Sequence, residues 1–444
     1  MKRRDFIKKT GAAAAAAIAA PYILPSGRLF AASGRRMSGH VVMVMFAGGV
    51  RQQESVLQRY LDGSQQNEPY AGNIMYNMLT GDAPTQKIVY GTGLGGLNPI
   101  PSLLSSTLQA QGTLFPEVSA LSAGHFGGLN SLVQGSTVTT QGLKQRPLNP
   151  TIFEYLRRHG GYSATDVWFV GNGIMNSVPL LNYSGHSNYG SAYGANFFAP
   201  TITFNETCQA FLGDAKVYHP ENELAPMYQL KYFLDNSFEQ YGGRLDNLGN
   251  TDQEKQQIKA FMEEMFTRTN NGTIAMPPVT DNGDAATVGY ACEVIREFKP
   301  ALTVINLNAV DTCHSDFTGY LGNLHRADHA VGHLWNFIQT QIPEMAGNTT
   351  LICTPECGRN LQPNNILDEN DWRSYDHSDA NSLRVFTLMV GPNVPANLVI
   401  GSENNPVGGV SDSMMTVADI LGVKPEVQAA GMVANGTNSL FDLI

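Results

Sequence analysis

Three short stretches of this chain gather side chains able to do chemistry. Asp311, His314 and Asp316 form the first, Glu356, Cys357 and Arg359 the second, and Asp376, His377 and Asp379 the third. Carboxylate oxygen, imidazole nitrogen and thiolate sulfur are the donors that hold a zinc-like ion. An ion so held acidifies water and polarises a phosphoryl or sulfuryl oxygen. Each stretch also has a plainer reading. Asp311 can cap a turn, Glu356 and Arg359 can pair as ions, and Asp376-His377-Ser378 can be polar surface. Their shared placement after predicted strands favours the chemical reading, because open α/β sheets bind ligands there.

Two further groups carry possible chemistry. Gly124 to Gly128 encloses His125, with Ser122 and Ser131 close by. A serine at a strand-to-helix turn can be a nucleophile, and the turn's amides can cradle an oxyanion. The Gly-x-Ser-x-Gly elbow is not present there. His325, His329 and His333 recur every four residues in a helical segment. Two histidines at that spacing can chelate zinc, but the Glu of a His-Glu-x-x-His site is absent, so polar packing is the favoured reading. Gly91 to Gly96 is glycine-rich without the strand and helix that a nucleotide fingerprint needs, and reads as a loop.

Apolar, β-branched runs must position these groups. Val41–Phe46, Leu114–Leu121, Val167–Gly171, Leu302–Leu307, Thr349–Thr354 and Val385–Pro392 predict strands. Most are continuous apolar runs, as expected for strands buried on both faces. Helical periodicity predicts helices over 102–111, 151–159, 324–341 and 412–421, with another beginning near Asn130. Alternation of the two predicts an α/β class with a mostly parallel sheet. Residues 172–285 differ, being first loop-rich and then helical, and read as an inserted cap. The apolar stripes Met227–Leu234 and Ile258–Phe266 in it read as packing.

The N-terminus reads as an address. Arg3-Arg4-Asp5-Phe6-Ile7-Lys8, then Gly11 and alanines, matches the twin-arginine export pattern over residues 1–32. The twin-arginine translocation machinery is thus an expected partner and the periplasm, or another exported location, the expected destination. That route carries folded proteins, often around a cofactor. The apolar part is too short for a confident membrane span, so none is expected after cleavage. The 444 residues suit one large domain with an insertion, placed at 38–444. A hydrophobic share of 42% excludes wholesale disorder. Charges of 28 basic against 38 acidic residues give −10, which argues against a nucleic-acid partner. Five cysteines, an odd and sparse set, exclude a disulfide scaffold.

With these residues in view, the chain resembles the alkaline-phosphatase-like superfamily, which includes sulfatases. It is most similar to an exported bacterial family of unknown function within it. Gly48-Gly49, Asp311-Thr312-Cys313-His314, Glu356-Cys357-Gly358-Arg359 and Asp376-His377 carry the likeness. Ser131-Leu132-Val133-Gln134-Gly135 resembles the end of a sulfatase nucleophile segment, and Ser411 to Gly422 the closing helix. The resemblance implies an alkaline-phosphatase-like sheet sandwiched by helices. It implies a first metal site of Asp311, His314 and His377, with Glu356 and Cys357 completing it or holding a second ion. The ion would be zinc, manganese or calcium. The nucleophile position falls near His125, with Ser122 and Ser131 as side-chain nucleophiles, and Arg359 would grip the anionic group. The first-strand carboxylate of the superfamily is missing at Ala47 and Gly48, as is the sulfatase Cys-x-Pro-x-Arg. Two functions therefore stand side by side. One is a metal-dependent hydrolase of a phosphate or sulfate ester. The other is a non-catalytic member that binds a glycan, an anionic ligand or a protein partner. A copper or redox role for Cys313-His314 and Glu356-Cys357 has less behind it, for no Cys-x-x-Cys or haem motif is present.

Overall fold

A computed structural model describes residues 34–59, 72–84, 98–140, 146–171, 181–204 and 249–444. The export segment, Gly91 to Gly96 and the Met227–Leu234 stripe lie outside the described residues. In chain order the elements are β1 (His40–Phe46), α1 (Leu108–Gln111), β2 (Thr113–Ser119), α2 (His125–Gln134), α3 (Ile152–His159), β3 (Val167–Gly171), β4 (Asn196–Phe198) and α4 (Pro200–Thr203). There follow α5 (Asp252–Asn270), α6 (Gly283–Phe298), β5 (Leu302–Leu307), α7 (Phe317–Gln341), β6 (Thr349–Pro355), β7 (Arg384–Val390), β8 (Leu398–Val399), α8 (Ser411–Ile420) and α9 (Lys424–Ala430).

The strands form one eight-stranded sheet in the order β4-β3-β5-β1-β6-β7-β2-β8. Strand β7 runs against its neighbours β6 and β2, and every other pairing is parallel. The class expected from the sequence, α/β with a mostly parallel sheet between helices, is therefore the class observed. Side chains alternate across the pleat. Val42, Val44 and Phe46 of β1 pack with α6 and α7 on one face, and Val41, Met43 and Met45 pack with α2, α3 and α8 on the other. Burial of both faces explains why β1 reads as an unbroken apolar run.

Several boundaries differ from the periodicity, each for a local reason. Helix α1 spans only Leu108–Gln111, not 102–111, because Asn77 Oδ1 accepts the Leu103 N–H at 2.8 Å and Thr107 caps the later turn. Helix α7 starts at Phe317 rather than Leu324, where Asp316 accepts the Gly319 N–H at 2.7 Å as an N-cap. Helix α2 begins at His125 rather than near Asn130, directly after extended Gly124. In the 172–285 stretch, β4 pairs with β3, and Phe261 and Met265 of α5 join the same core as Trp168. Among the described residues no helix is long and apolar enough to cross a membrane.

Candidate metal centre

The carboxyl ends of β1, β2, β5 and β6 lie on one side of the sheet, and the segments that follow them converge. Gly48-Gly49 follow β1, His125 opens α2 after β2, Asp311 and His314 follow β5, and Glu356 follows β6. The 376–377 segment reaches the same place by backbone pinning. Tyr375 N donates to Cys313 O at 2.9 Å, and Asn360 N donates to Asp376 O at 2.7 Å. Asn360 Oδ1 then accepts Ser378 N at 2.6 Å.

Two glycines permit the convergence. A Cβ at Gly128 would lie 2.5 Å from Glu356 O, so only glycine lets α2 press against β6's end. Gly48 has φ +117 and backs onto Asp311, where a Cβ would meet the backbone nitrogen at 2.6 Å. Its own amide N donates to Glu356 Oε1 at 2.7 Å, and Gly49 N donates to Oε2 at 3.3 Å.

Three imidazoles meet here with their ring nitrogens sorted. His125 Nδ1 donates to Glu356 Oε1 at 2.7 Å, His314 Nδ1 to Asp376 Oδ1 at 2.9 Å, and His377 Nδ1 to Ala123 O at 2.7 Å. Each Nδ1 is thereby spoken for, and Nε2 is left as the donor atom of each ring. His125 Nε2 and His314 Nε2 lie 3.1 and 3.4 Å from Asp311 Oδ1. The His125 contact lacks hydrogen-bond alignment, and Asp311 Oδ2 is buried without a partner among the described residues. The His125 and His377 ring centroids are 4.0 Å apart. His125, His314 and His377 bring ligand-capable atoms within 4.8 Å of one another, as do His125, Glu356 and Cys357.

Electrostatics sort the same groups. Burial disfavours the charge on Asp311, but His125, His314 and Arg359 outweigh it and hold the carboxyl well below the usual range. Burial would lower the His125 pKa, yet the Asp311 and Glu356 carboxylates raise it to about 9. Burial and then the positive neighbours His125, Arg359 and His314 push His377 down to about 4. The hydrogen bond from His314 holds Asp376 below its ordinary value. Burial, aided by the Glu356 carboxylate, keeps the Cys357 thiol well above its ordinary value. The site opens on one side: the His314 and Asp376 side chains are 32% and 49% exposed, whereas Glu356 and Arg359 are sealed.

Of the residues singled out in the sequence, His125, Asp311, His314, Glu356, Cys357, Arg359 and His377 come together. Others do not. The Ser131 hydroxyl is buried and donates to Gly128 O at 2.6 Å, inside the first turns of α2. Ser122 Oγ accepts the Gly124 N–H at 3.0 Å and shapes the approach to α2. Asp316 caps α7, and Asp379 accepts Leu361 N at 2.9 Å. Cys313 is in the core. The expected anion-gripping role of Arg359 meets a steric obstacle, since its side chain is fully buried. Its Nη2 donates to Asp311 Oδ1 at 2.9 Å and to Gly48 O, and its Nη1 donates to Tyr375 O at 3.1 Å. Asp376 is the partner the spacing did not single out as orienting a histidine; its adjacency to His377 was the available signal.

Solved structures similar to this chain are sulfatases and members of the alkaline phosphatase superfamily. They include a phosphonate monoester hydrolase of Agrobacterium radiobacter, at 12% identity over 86% of this chain and 74% of that one, with a TM-score of 0.42. A sulfatase from a Pseudoalteromonas species follows at 11% identity over 90% and 73%, TM-score 0.41. A Vibrio parahaemolyticus protein of the alkaline phosphatase superfamily is 11% identical over 88% and 68%, TM-score 0.37. No protein-family model and no curated protein matches the chain.

Proposed function

We propose that this protein is an exported metal-dependent hydrolase of a phosphate or sulfate ester. One observation carries the metal reading: three imidazoles from three separate segments, each anchored through Nδ1, bring ligand-capable atoms within 4.8 Å of one another, and the Nε2 atoms of His125 and His314 lie beside a buried carboxylate with an orphan oxygen. Anchored imidazoles of this kind are the usual dress of metal ligands. The donor set of His125, His314 and His377, with Asp311 beside two of them, suits zinc or a similar ion better than calcium, which takes oxygen ligands. A divalent cation there would supply Lewis acidity, drawing charge from an ester oxygen and acidifying water.

The chain's own residues supply the rest. Glu356 and Asp376 fix two rings, and the Ala123 carbonyl fixes the third. Arg359 adds a permanent positive charge behind Asp311, which favours an anionic ester at the open, His314 side. The twin-arginine-like start supports export, and the sequence resemblance supports the ester class.

The test is the metal content of natively exported protein by elemental mass spectrometry, with turnover of aryl phosphate and aryl sulfate. Near-stoichiometric metal and ester cleavage, both lost in His377→Ala, are expected. Absence of metal after reconstitution, or full activity in His377→Ala, would overturn the reading. A second reading, binding without turnover of a glycan, anionic ligand or partner, has its own support: Ser131 is sealed in α2 and Arg359 is sealed behind Asp311. Metal-replete protein that binds such ligands but cleaves no ester would favour it.

A further inference from the structure

Two donor sets share His125, one with His314 and His377 and the other with Glu356 and Cys357. We infer that only the first takes up a cation, and that the Arg359 guanidinium is the site's second positive charge, built into the fold. The inference rests on the metal reading above and sharpens it: the protein binds one divalent ion.

Glu356 is already committed on both oxygens. Its Oε1 accepts Gly48 N at 2.7 Å and His125 Nδ1 at 2.7 Å, and its Oε2 accepts Gly49 N at 3.3 Å. A cation at Glu356 and Cys357 would have to strip backbone amides that have no other partner in view, and buried unpaired amides are costly. It would also take the His125 nitrogen that Glu356 now holds. Glu356, Cys357 and Arg359 are all fully buried, so that side has no solvent face.

Arg359 fills the space beside it. A Cβ placed on Gly49 would lie 3.0 Å from Arg359 Nε and 3.2 Å from Cys357 Sγ, so the guanidinium and the thiol share one wall. An arginine cannot shed its proton in a protein, so its charge is permanent. Its Nη2 already sits on Asp311 Oδ1 at 2.9 Å, the same carboxylate the first set converges on. A second divalent ion would face that charge in a low-dielectric interior, whereas the first set lies toward the open side.

Cobalt(II) titration of the metal-free full-length protein tests this by calorimetry and absorption. One cobalt per chain is expected, with d–d bands and no thiolate-to-cobalt charge-transfer band. Cys357→Ser should still bind one cobalt, losing no more than the roughly 10-fold at the low end for a residue outside the ligand set. Two ions per chain, or a thiolate band abolished by Cys357→Ser, would overturn the inference while leaving the metal reading intact. No cobalt bound at all would overturn both. Arg359→Gln, if folded by circular dichroism, should admit a second, weaker ion; a wild-type count of two decides against the inference whether or not that variant folds.

Discussion

Two histidine trios stand among the described residues, and they could hardly be arranged more differently. His325, His329 and His333 stand at even spacing on one helix, α7. His125, His314 and His377 come from three segments scattered along the chain. Two rings of the regular trio are tied separately into the packing: His325 Nδ1 donates to Ile74 O at 2.7 Å while its Nε2 accepts Ile100 N at 3.1 Å, and His333 Nε2 donates to Ala275 O at 3.0 Å; His329 is buried with neither ring nitrogen hydrogen-bonded among the described residues. Burial depresses the His325 pKa to about 4, as for a neutral hydrogen-bonding ring. In the scattered trio each Nδ1 is hydrogen-bonded, and the Nε2 atoms of His125 and His314 lie 3.1 and 3.4 Å from Asp311 Oδ1. Two buried aspartates repeat the contrast. Asp328 accepts Asn77 N, Asn77 Nδ2 and Met78 N at 2.8 to 2.9 Å, and burial pushes it up to about 7. Asp311 is ringed by cationic groups, keeps an orphan oxygen and is pulled down. Neutral amides on every oxygen mark scaffolding; cations and a spare lone pair mark a place kept for a ligand.

This comparison can be broken most sharply by deleting one ring from each trio. His377→Ala or His314→Ala should weaken zinc binding by well over ~100-fold, more than an outer partner typically contributes, as read by competition with a chromophoric chelator. His325→Ala should leave zinc affinity unchanged but cost about 1–3 kcal/mol in urea unfolding, because Ile74 O and Ile100 N lose their partner. Zinc lost in His325→Ala would erase the distinction. Asp376→Asn should weaken zinc binding by roughly 10-fold through a looser His314. A pH-dependent contrast concerns Asp328. Its carboxyl titrates at about 7 when folded, against an ordinary value of 3.8. Between these the folded state holds the extra proton, so Asp328's contribution to stability is greatest below about pH 4 and is lost as pH rises to about 7. The wild-type urea midpoint should therefore fall relative to Asp328→Asn across that window; parallel curves would refute it.

Much of the frame was legible in the sequence because strands buried on both faces cannot hide their apolar runs. Strands β1, β3, β5, β6 and β7 lie where Val, Ile and Leu cluster, and the residues after β1, β5 and β6 fall on the site. What was not legible depends on contacts between distant residues. Nothing in the local pattern says that His125 opens a helix and meets Glu356, 231 residues on. Arginine is rarely sealed from water, so Arg359 read as a surface grip for an anion rather than an internal cation. Glu356 read as a ligand because carboxylates often are; nothing local says that the β1 turn amides also donate to its oxygens. Helix α1 was overextended because side chain–backbone bonds from Asn77 compete with helix over 102–107.

Gly48 carries a consequence for how this chain can change. The turn after the first strand is backed by Asp311. A side chain at position 48 would meet Asp311 N at 2.6 Å, in a backbone conformation that side chains rarely adopt. An aspartate at 48 would therefore dislodge the Asp311 carboxylate beside which His125 and His314 stand.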